Sequence, residues 1–398
     1  MENFAILRTP KTTYYGRNAF QNVGMEAALK GKKALIISDK IMESLGYVKD
    51  CQQQLQKEGV QSEVYLGVNS EPTDQYVAEA LNILKREQCE LVISLGGGSC
   101  LDTAKAIAVL ATNDGYIGDY MGGKKIAENS PVPHIAIPTT AGTGSEATDV
   151  TVITNTSNDV KMMIKQPAFM PDVAIVDPLL TLSSPKNVTA ATGVDALSHA
   201  IEAYLSKKAH PMTDSLALSA MKLIISNLLT AYNDGENVDA RESMSLGSYQ
   251  AGMAFTNASV CLVHGMSRPI GALFHVPHGI SNAMLLPAVL EFSKEACVDR
   301  LADIGRLFDS KNESLSNEEA AEVAVQSVKN LCLQLKIPNL KGWGIDQKAF
   351  ENVVEKMAFD AIDSGSPGNN PKVPTFTELV ELYHKCYAYQ FSTEEKVI

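Results

Sequence analysis

In the first half of the chain, short β-branched, apolar runs alternate with longer stretches whose apolar residues recur every three or four positions. "KALIIS", "SEVYLG", "LVISLGGGS", "HIAIPTT" and "VAIVD" predict strands, whereas "IMESLGYVKDCQQQLQKEG", "DQYVAEALNILKREQ" and "LDTAKAIAVLAT" predict helices. Strands separated by helical patterns predict βαβ units and a mainly parallel sheet. "VAIVD" runs into "DPLLTLSSP", where Ser184 before Pro185 predicts a helix N-cap with proline at the first helical position. From about residue 184 the periodicity turns helical almost throughout, as in "MTDSLALSAMKLIISNLLTAY" and "NEEAAEVAVQSVKNLCLQLK", and strand-type alternation is absent. Residues 363–374, "DSGSPGNNPKVP", predict a loop before a last helix. The pattern therefore predicts two domains, an α/β domain over residues 1–183 and an all-helical domain over residues 184–398. Length agrees, because single cores usually stop growing at about 250 to 300 residues.

Charge narrows the classes of partner. With 34 Lys and Arg against 46 Asp and Glu, the net charge of −12 repels phosphate backbones and anionic membranes, so neither nucleic acid nor a membrane is an expected partner. The start, "MENFAILRTPKTTYYGRNAF", mixes charged and polar residues where a secretory leader needs an apolar run. No other run is expected to span a bilayer, which takes about 20 apolar residues. Cysteines 51, 89, 100, 261, 297, 332 and 386 show no C-x-x-C spacing and are odd in number, so reduced thiols in a cytoplasmic protein are expected.

Three stretches of the first half can bind a nucleotide. In "ELVISLGGGSCLDTAKAIA", Gly96, Gly97, Gly98 and Ser99 join a strand to a helix, and glycines there let a pyrophosphate approach the helix amides. The spacing is not G-x-G-x-x-G, so the ordinary dinucleotide fingerprint is absent. "IAIPTTAGTGSEAT" follows a strand with Thr139, Thr140 and Thr143, hydroxyls able to donate to phosphate or ribose oxygens. Asp39 ends "KALIISD", where an acid at a strand's C-terminal end can accept from a ribose diol or cap the next helix.

The second half offers metal ligands. In "ATGVDALSHAIEAY", Asp195 and His199 are four apart and share one face of a helix. "VHGMSRPIGALFHVPHG" adds His264, His275 and His278, so one carboxylate and up to three imidazoles can form a shell for Fe(II) or Zn(II) with a position open for substrate. Gly265 and Pro269 argue against one regular helix through all three histidines, so His264 and His278 are expected on separate elements. Spacing alone does not choose two of the three.

Together with "YYGRNAF", "PDVAIVDP" and the final "NPKVPTFTELVELYHKCY", these motifs resemble the iron-containing (group III) alcohol dehydrogenase family over essentially the whole chain. The resemblance implies a dehydroquinate synthase-like architecture, with an α/β dinucleotide-binding domain, an all-α metal-binding domain and a metal between them. It places the metal ligands on Asp195, His199, His264 and His278, and the phosphate loop on Gly97, Gly98, Ser99 and Asp102. Thr139, Thr140, Thr143, Thr148 and Lys161 fall on cofactor-lining positions, and Asp39 on the one that favours NAD over NADP. The implied activity is NAD(H)-dependent, iron-dependent interconversion of short alcohols or diols with their carbonyl compounds, in a homo-oligomer of two or more chains. Many members carry a histidine for proton relay four residues after the third ligand, where this chain has Arg268, in "HGMSR". Arginine stays protonated and is a poor base. It can orient an anionic substrate or serve as a structural element, which leaves His275 as the substitute relay. Two rival readings are a zinc-dependent, glycerol dehydrogenase-like enzyme and a catalytically silent protein kept for assembly or cofactor sensing.

Overall fold

The computed structural model describes residues 4–392. Residues 7–184 form one compact unit, and a second comprises residues 4–6 together with those from Pro185 onward.

The first unit contains, in order, β1 (Thr12–Tyr15), α1 (Val23–Ala28), β2 (Lys33–Ile37), α2 (Lys40–Ser44), α3 (Tyr47–Lys57), β3 (Gln61–Tyr65), α4 (Asp74–Arg86), β4 (Leu91–Gly96), α5 (Gly98–Leu110), β5 (His134–Pro138), β6 (Val150–Asn155), β7 (Val160–Lys165) and β8 (Val173–Val176). Six strands pair in parallel in the order β1-β8-β5-β4-β2-β3. Alternate residues of β2 serve opposite layers. Leu35 and Ile37 pack with Val77, Leu84 and Ile107 of α4 and α5, while Ala34 and Ile36 pack with Val23, Cys51 and Leu55 of α1 and α3. Coverage on both faces is why these strands read as nearly continuous apolar runs. The chain leaves β2 for β3 on one side and then returns to β4 on the other. That reversal puts a crevice beyond the carboxyl ends of β2 and β4, where doubly wound sheets bind ligands.

Several expectations need correction here. The pattern did not predict β1, whose four residues are mostly exposed, or the antiparallel β6–β7 hairpin, which stands apart from the main sheet. The segment predicted as one helix at 41–59 divides at Gly46, whose φ of 86° is left-handed backbone that glycine adopts without a Cβ clash. Ser184 is not the N-cap of the following helix. Its hydroxyl donates to the Thr139 carbonyl at 3.3 Å, and Pro185 itself occupies the cap position.

Beyond Pro185 the described residues are helical: α6 (Lys186–Leu205), α7 (Pro211–Asn233), α8 (Val238–Ala258), α9 (Leu262–Phe274), α10 (His278–Ser293), α11 (Val298–Phe308), α12 (Asn317–Gln334), α13 (Leu340–Trp343), α14 (Gln347–Asp363) and α15 (Phe376–Tyr387). Contrary to the expectation that no segment would qualify, α7 is long and apolar enough by length and composition to cross a bilayer. It nonetheless packs along α6 and α8 through a stripe of Ala217, Ala220, Met221, Ile224 and Leu228, the spacing of a core helix. As expected, no single helix runs through all three histidines, but the break comes after Phe274, and α9 itself continues through Gly265 and Pro269. Gly265 is there for space, because a Cβ would lie 2.8 Å from Pro367. His264 and His278 do stand on separate helices, joined through His275 in left-handed backbone at the end of α9.

Candidate metal centre and cofactor cradle

At the crevice of the first unit, Asp39, Val68, Asn69, Gly97, Ser99 and Cys100 are among the residues lining a cavity of about 340 Å³. Gly97 is the N-cap of α5 and offers no side-chain cap, so the first-turn amides of a thirteen-residue helix are available to an anion. A Cβ on Gly97 would meet nothing nearer than Thr140 at 3.7 Å, whereas one on Gly98 would lie 2.7 Å from Thr143. The loop therefore has bare backbone on one side and close packing on the other. Asp39 divides its work between two oxygens. Oδ1 accepts from the amides of Ile41 at 2.7 Å and Met42 at 2.9 Å, capping α2, and Oδ2 faces Cys100 Sγ at 3.8 Å.

The other cofactor positions are placed differently. Thr139 is buried, its amide on the Gly96 carbonyl. Asp102 accepts from Ser145 Oγ at 2.6 Å and from the Val152 amide at 2.8 Å, tying α5 to the loop before β6 and to β6 itself. Thr148 accepts from buried Lys105 at 2.8 Å, a lysine whose pKa burial lowers to about 8. Lys161, on β7, pairs with Glu71 at 3.1 Å.

In the second unit the structure brings Asp195, His199, His264 and His278 together, with one ligand atom from each lying within 4.8 Å of the others. Asp195 and His199 sit one turn apart on α6, His264 is in the first turn of α9, and His278 opens α10. The first three are buried and His278 is partly exposed. Gly279 allows the approach of α10 to α6, since a Cβ there would lie 2.8 Å from the Ala191 carbonyl oxygen. The His199 ring stacks between Phe255, 4.2 Å away, and His264, 4.4 Å away.

Glu202, which the sequence reading did not single out, fixes the orientation of His264. Its carboxylate accepts from His264 Nδ1 at 2.6 Å and from the amides of Cys261 at 3.0 Å and Val263 at 2.5 Å, so it also caps α9. With Nδ1–H held by Glu202, neutral His264 turns its Nε2 lone pair toward the cluster. Burial lowers the pKa of His264, but Glu202 and Asp195 outweigh it and raise the value to about 9. Burial likewise pushes Asp195 up, and the surrounding imidazoles more than reverse this, holding it below the usual carboxylate range. A signal for Glu202 was present, because 195, 199 and 202 fall on one helical face.

The donor set fits a divalent transition metal. One carboxylate and three imidazoles suit Fe(II) or Zn(II). The amide nitrogen of Asn282 lies within 3.1 Å of Asp195 Oδ1, His264 Nε2 and His278 Nε2, so one donor group stands against three of the four candidate ligand residues.

Comparison with known proteins decides the family. Residues 10–178 match the family described as iron-containing alcohol dehydrogenase, and residues 189–387 match the Fe-containing alcohol dehydrogenase family, C-terminal. The chain belongs to the iron-containing alcohol dehydrogenases. It is thus an oxidoreductase acting on alcohols and their carbonyl compounds. It is 36% identical to the lactaldehyde reductase of Escherichia coli K12 over 390 residues, covering 97% of this chain and all of that one. It is 38% identical to an NAD-dependent methanol dehydrogenase of Bacillus methanolicus, over 96% of this chain and 99% of the relative. A crystal structure of a 1,3-propanediol oxidoreductase superposes with a TM-score of 0.92 at 37% identity, over 97% of this chain and all of that one.

Two further residues of this dehydrogenase were singled out for catalysis. Arg268 lies one turn after His264 and donates to Ser366 Oγ at 3.1 Å. Burial lowers its pKa to about 10, against the pull of Glu202, which leaves it a cation at neutral pH. His275 is exposed and is not part of the four-residue cluster.

Proposed function

We propose that the enzyme is an NAD(H)-dependent, Fe(II)-dependent dehydrogenase that interconverts short alcohols or diols with their aldehydes or ketones, as a homo-oligomer in the cytoplasm. The supporting observation is the convergence of Asp195, His199, His264 and His278, with Glu202 orienting one imidazole. Asp195, His199, His264 and His278 would hold a divalent cation, which would supply Lewis-acid polarisation of a substrate oxygen, and the first unit would hold the nicotinamide cofactor that supplies hydride exchange. Residues 1–183 are assigned to cofactor binding and 184–398 to metal and substrate. In the first, the amides of Gly97, Gly98 and Ser99 take the pyrophosphate, and Thr139, Thr140 and Thr143 flank it. Asp39 Oδ2 takes the ribose diol. Asp102, Thr148 and Lys161 support this cradle through their bonds to Ser145, Lys105 and Glu71. The NAD preference draws on Asp39 and on the NAD-dependent relative, and the seven thiols of the chain, all free, suit a reducing compartment.

Proton transfer is assigned to His275, because Arg268 holds its proton at working pH. If so, His275→Ala shifts the pH profile of kcat, and an unchanged profile removes the assignment. Asp39→Gly removes the charge that repels a 2′-phosphate, so the NAD(H) over NADP(H) preference in kcat/KM falls by at least about tenfold, like-charge contacts costing several kcal/mol. Helix α2 loses little, since glycine as an N-cap costs only about a few tenths of a kcal/mol relative to aspartate.

The deciding experiment is NADH formation over a panel of short alcohols and diols by anaerobically purified protein loaded with Fe(II) or with Zn(II). Turnover confined to the iron form supports the proposal. Turnover with zinc alone replaces it with a zinc-dependent, glycerol dehydrogenase-like enzyme, which the same donor set also suits.

A further inference from the structure

We propose that Asn282 is a positioning residue of the metal centre, whose amide nitrogen holds the Asp195 carboxylate to a single donor oxygen. The inference rests on the metal reading above and concerns a residue outside the ligand set. Asn282 lies on α10 four residues after His278, hence on the same helix face, and is fully buried. Its Nδ2 is 2.6 Å from Asp195 Oδ1, 3.0 Å from His264 Nε2 and 3.1 Å from His278 Nε2, while its Oδ1 has no hydrogen-bond partner among the described residues.

That imbalance argues for a role of the nitrogen. A buried amide with an unsatisfied carbonyl oxygen carries a desolvation penalty that leucine, of similar size, would not. The side chain therefore does more than fill space, and its donor end is the one that meets hydrogen-bonding partners among the described residues. Asn282 Nδ2 carries no lone pair for a cation, so it cannot compete with the ligands. Once the two imidazole lone pairs are given to a metal, Asp195 Oδ1 is the acceptor left to this donor. Its second lone pair accepts from Asn282, which prevents the carboxylate from rotating to offer both oxygens. The partner orienting Asp195 thus comes from the helix that carries His278, as Glu202 orients His264 from the helix that carries His199.

The test compares full-length parent, Asn282→Leu and Asn282→Asp for Zn(II) affinity by chelator competition and for the visible spectrum of the Co(II) form. In Asn282→Leu the donor is gone, and Zn(II) affinity is expected to fall about 10- to 100-fold, the usual cost of losing a ligand's outer partner. The Co(II) d–d bands should weaken as Asp195 becomes bidentate and the coordination number rises, while the thermal midpoint of the metal-free protein holds or rises. Parent-like affinity and spectrum in Asn282→Leu would leave Asn282 a packing residue and overturn the proposal. Should Asn282→Leu not fold, Asn282→Asp keeps the shape but places a second acceptor against Asp195. An altered Co(II) spectrum there supports the proposal, and a parent-like one overturns it. Parent protein that binds neither Zn(II) nor Co(II) overturns the metal reading itself, a result distinct from either variant's.

Discussion

Asp195→Ala is expected to leave a folded protein that retains less than about a tenth of its metal and loses about 10³-fold in kcat/KM, since a Lewis acid supplies several kcal/mol of transition-state stabilisation. Asp195 is the one anion among the four donors, buried and held ionised by the imidazoles around it. Without it, three imidazoles face a divalent ion, and the one carboxylate left at the centre, Glu202, acts only through His264. Metal analysis of protein purified without added salts, alongside steady-state kinetics, checks both parts. Parent-like metal content would show that the cluster is not the binding site.

Glu202→Gln carries the second largest expectation. Substituting an amide puts an N–H group among three donors, His264 Nδ1 and the Cys261 and Val263 amides, all of which point at the present carboxylate. One donor must lose its acceptor, at about 1 to 3 kcal/mol for a buried group. Metal affinity is expected to fall about 10- to 100-fold because His264 is no longer oriented. Thermal unfolding of the metal-free protein separates the two effects. A lowered midpoint reports the loosened start of α9, and a weaker response to added Zn(II) reports the ligand. Unchanged affinity would confine Glu202 to capping.

Much of this arrangement was legible in the chain. Alternation of apolar runs and helical periods predicted the parallel sheet, and the four-residue spacing of Asp195 and His199 predicted two donors on one face. What stayed hidden depends on contacts distant in sequence. Glu202 shares a helical face with Asp195 and His199, and Asn282 stands in an apolar helix, but their meaning lies in His264, 62 positions from the first, and Asp195, 87 from the second. Ser184 met every local rule for an N-cap, yet its hydroxyl is drawn to Thr139, 45 residues earlier. Helix α9 survives Pro269 because packing outweighs the lost backbone hydrogen bond. The β6–β7 hairpin did alternate in burial, but its mix of threonine, methionine and lysine weakens the apolar signal.

The two carboxylates at the centre have a consequence for oxidation state. Asp195 and Glu202 together bring two negative charges, which balance a divalent ion, and both are buried. His264 and His278 stand in the first turns of α9 and α10, where helix dipoles already favour anions. A ferric ion would add an unbalanced positive charge in a place of low dielectric and positive dipole ends. Were iron the ion held, this balance of charge would favour its ferrous over its ferric state.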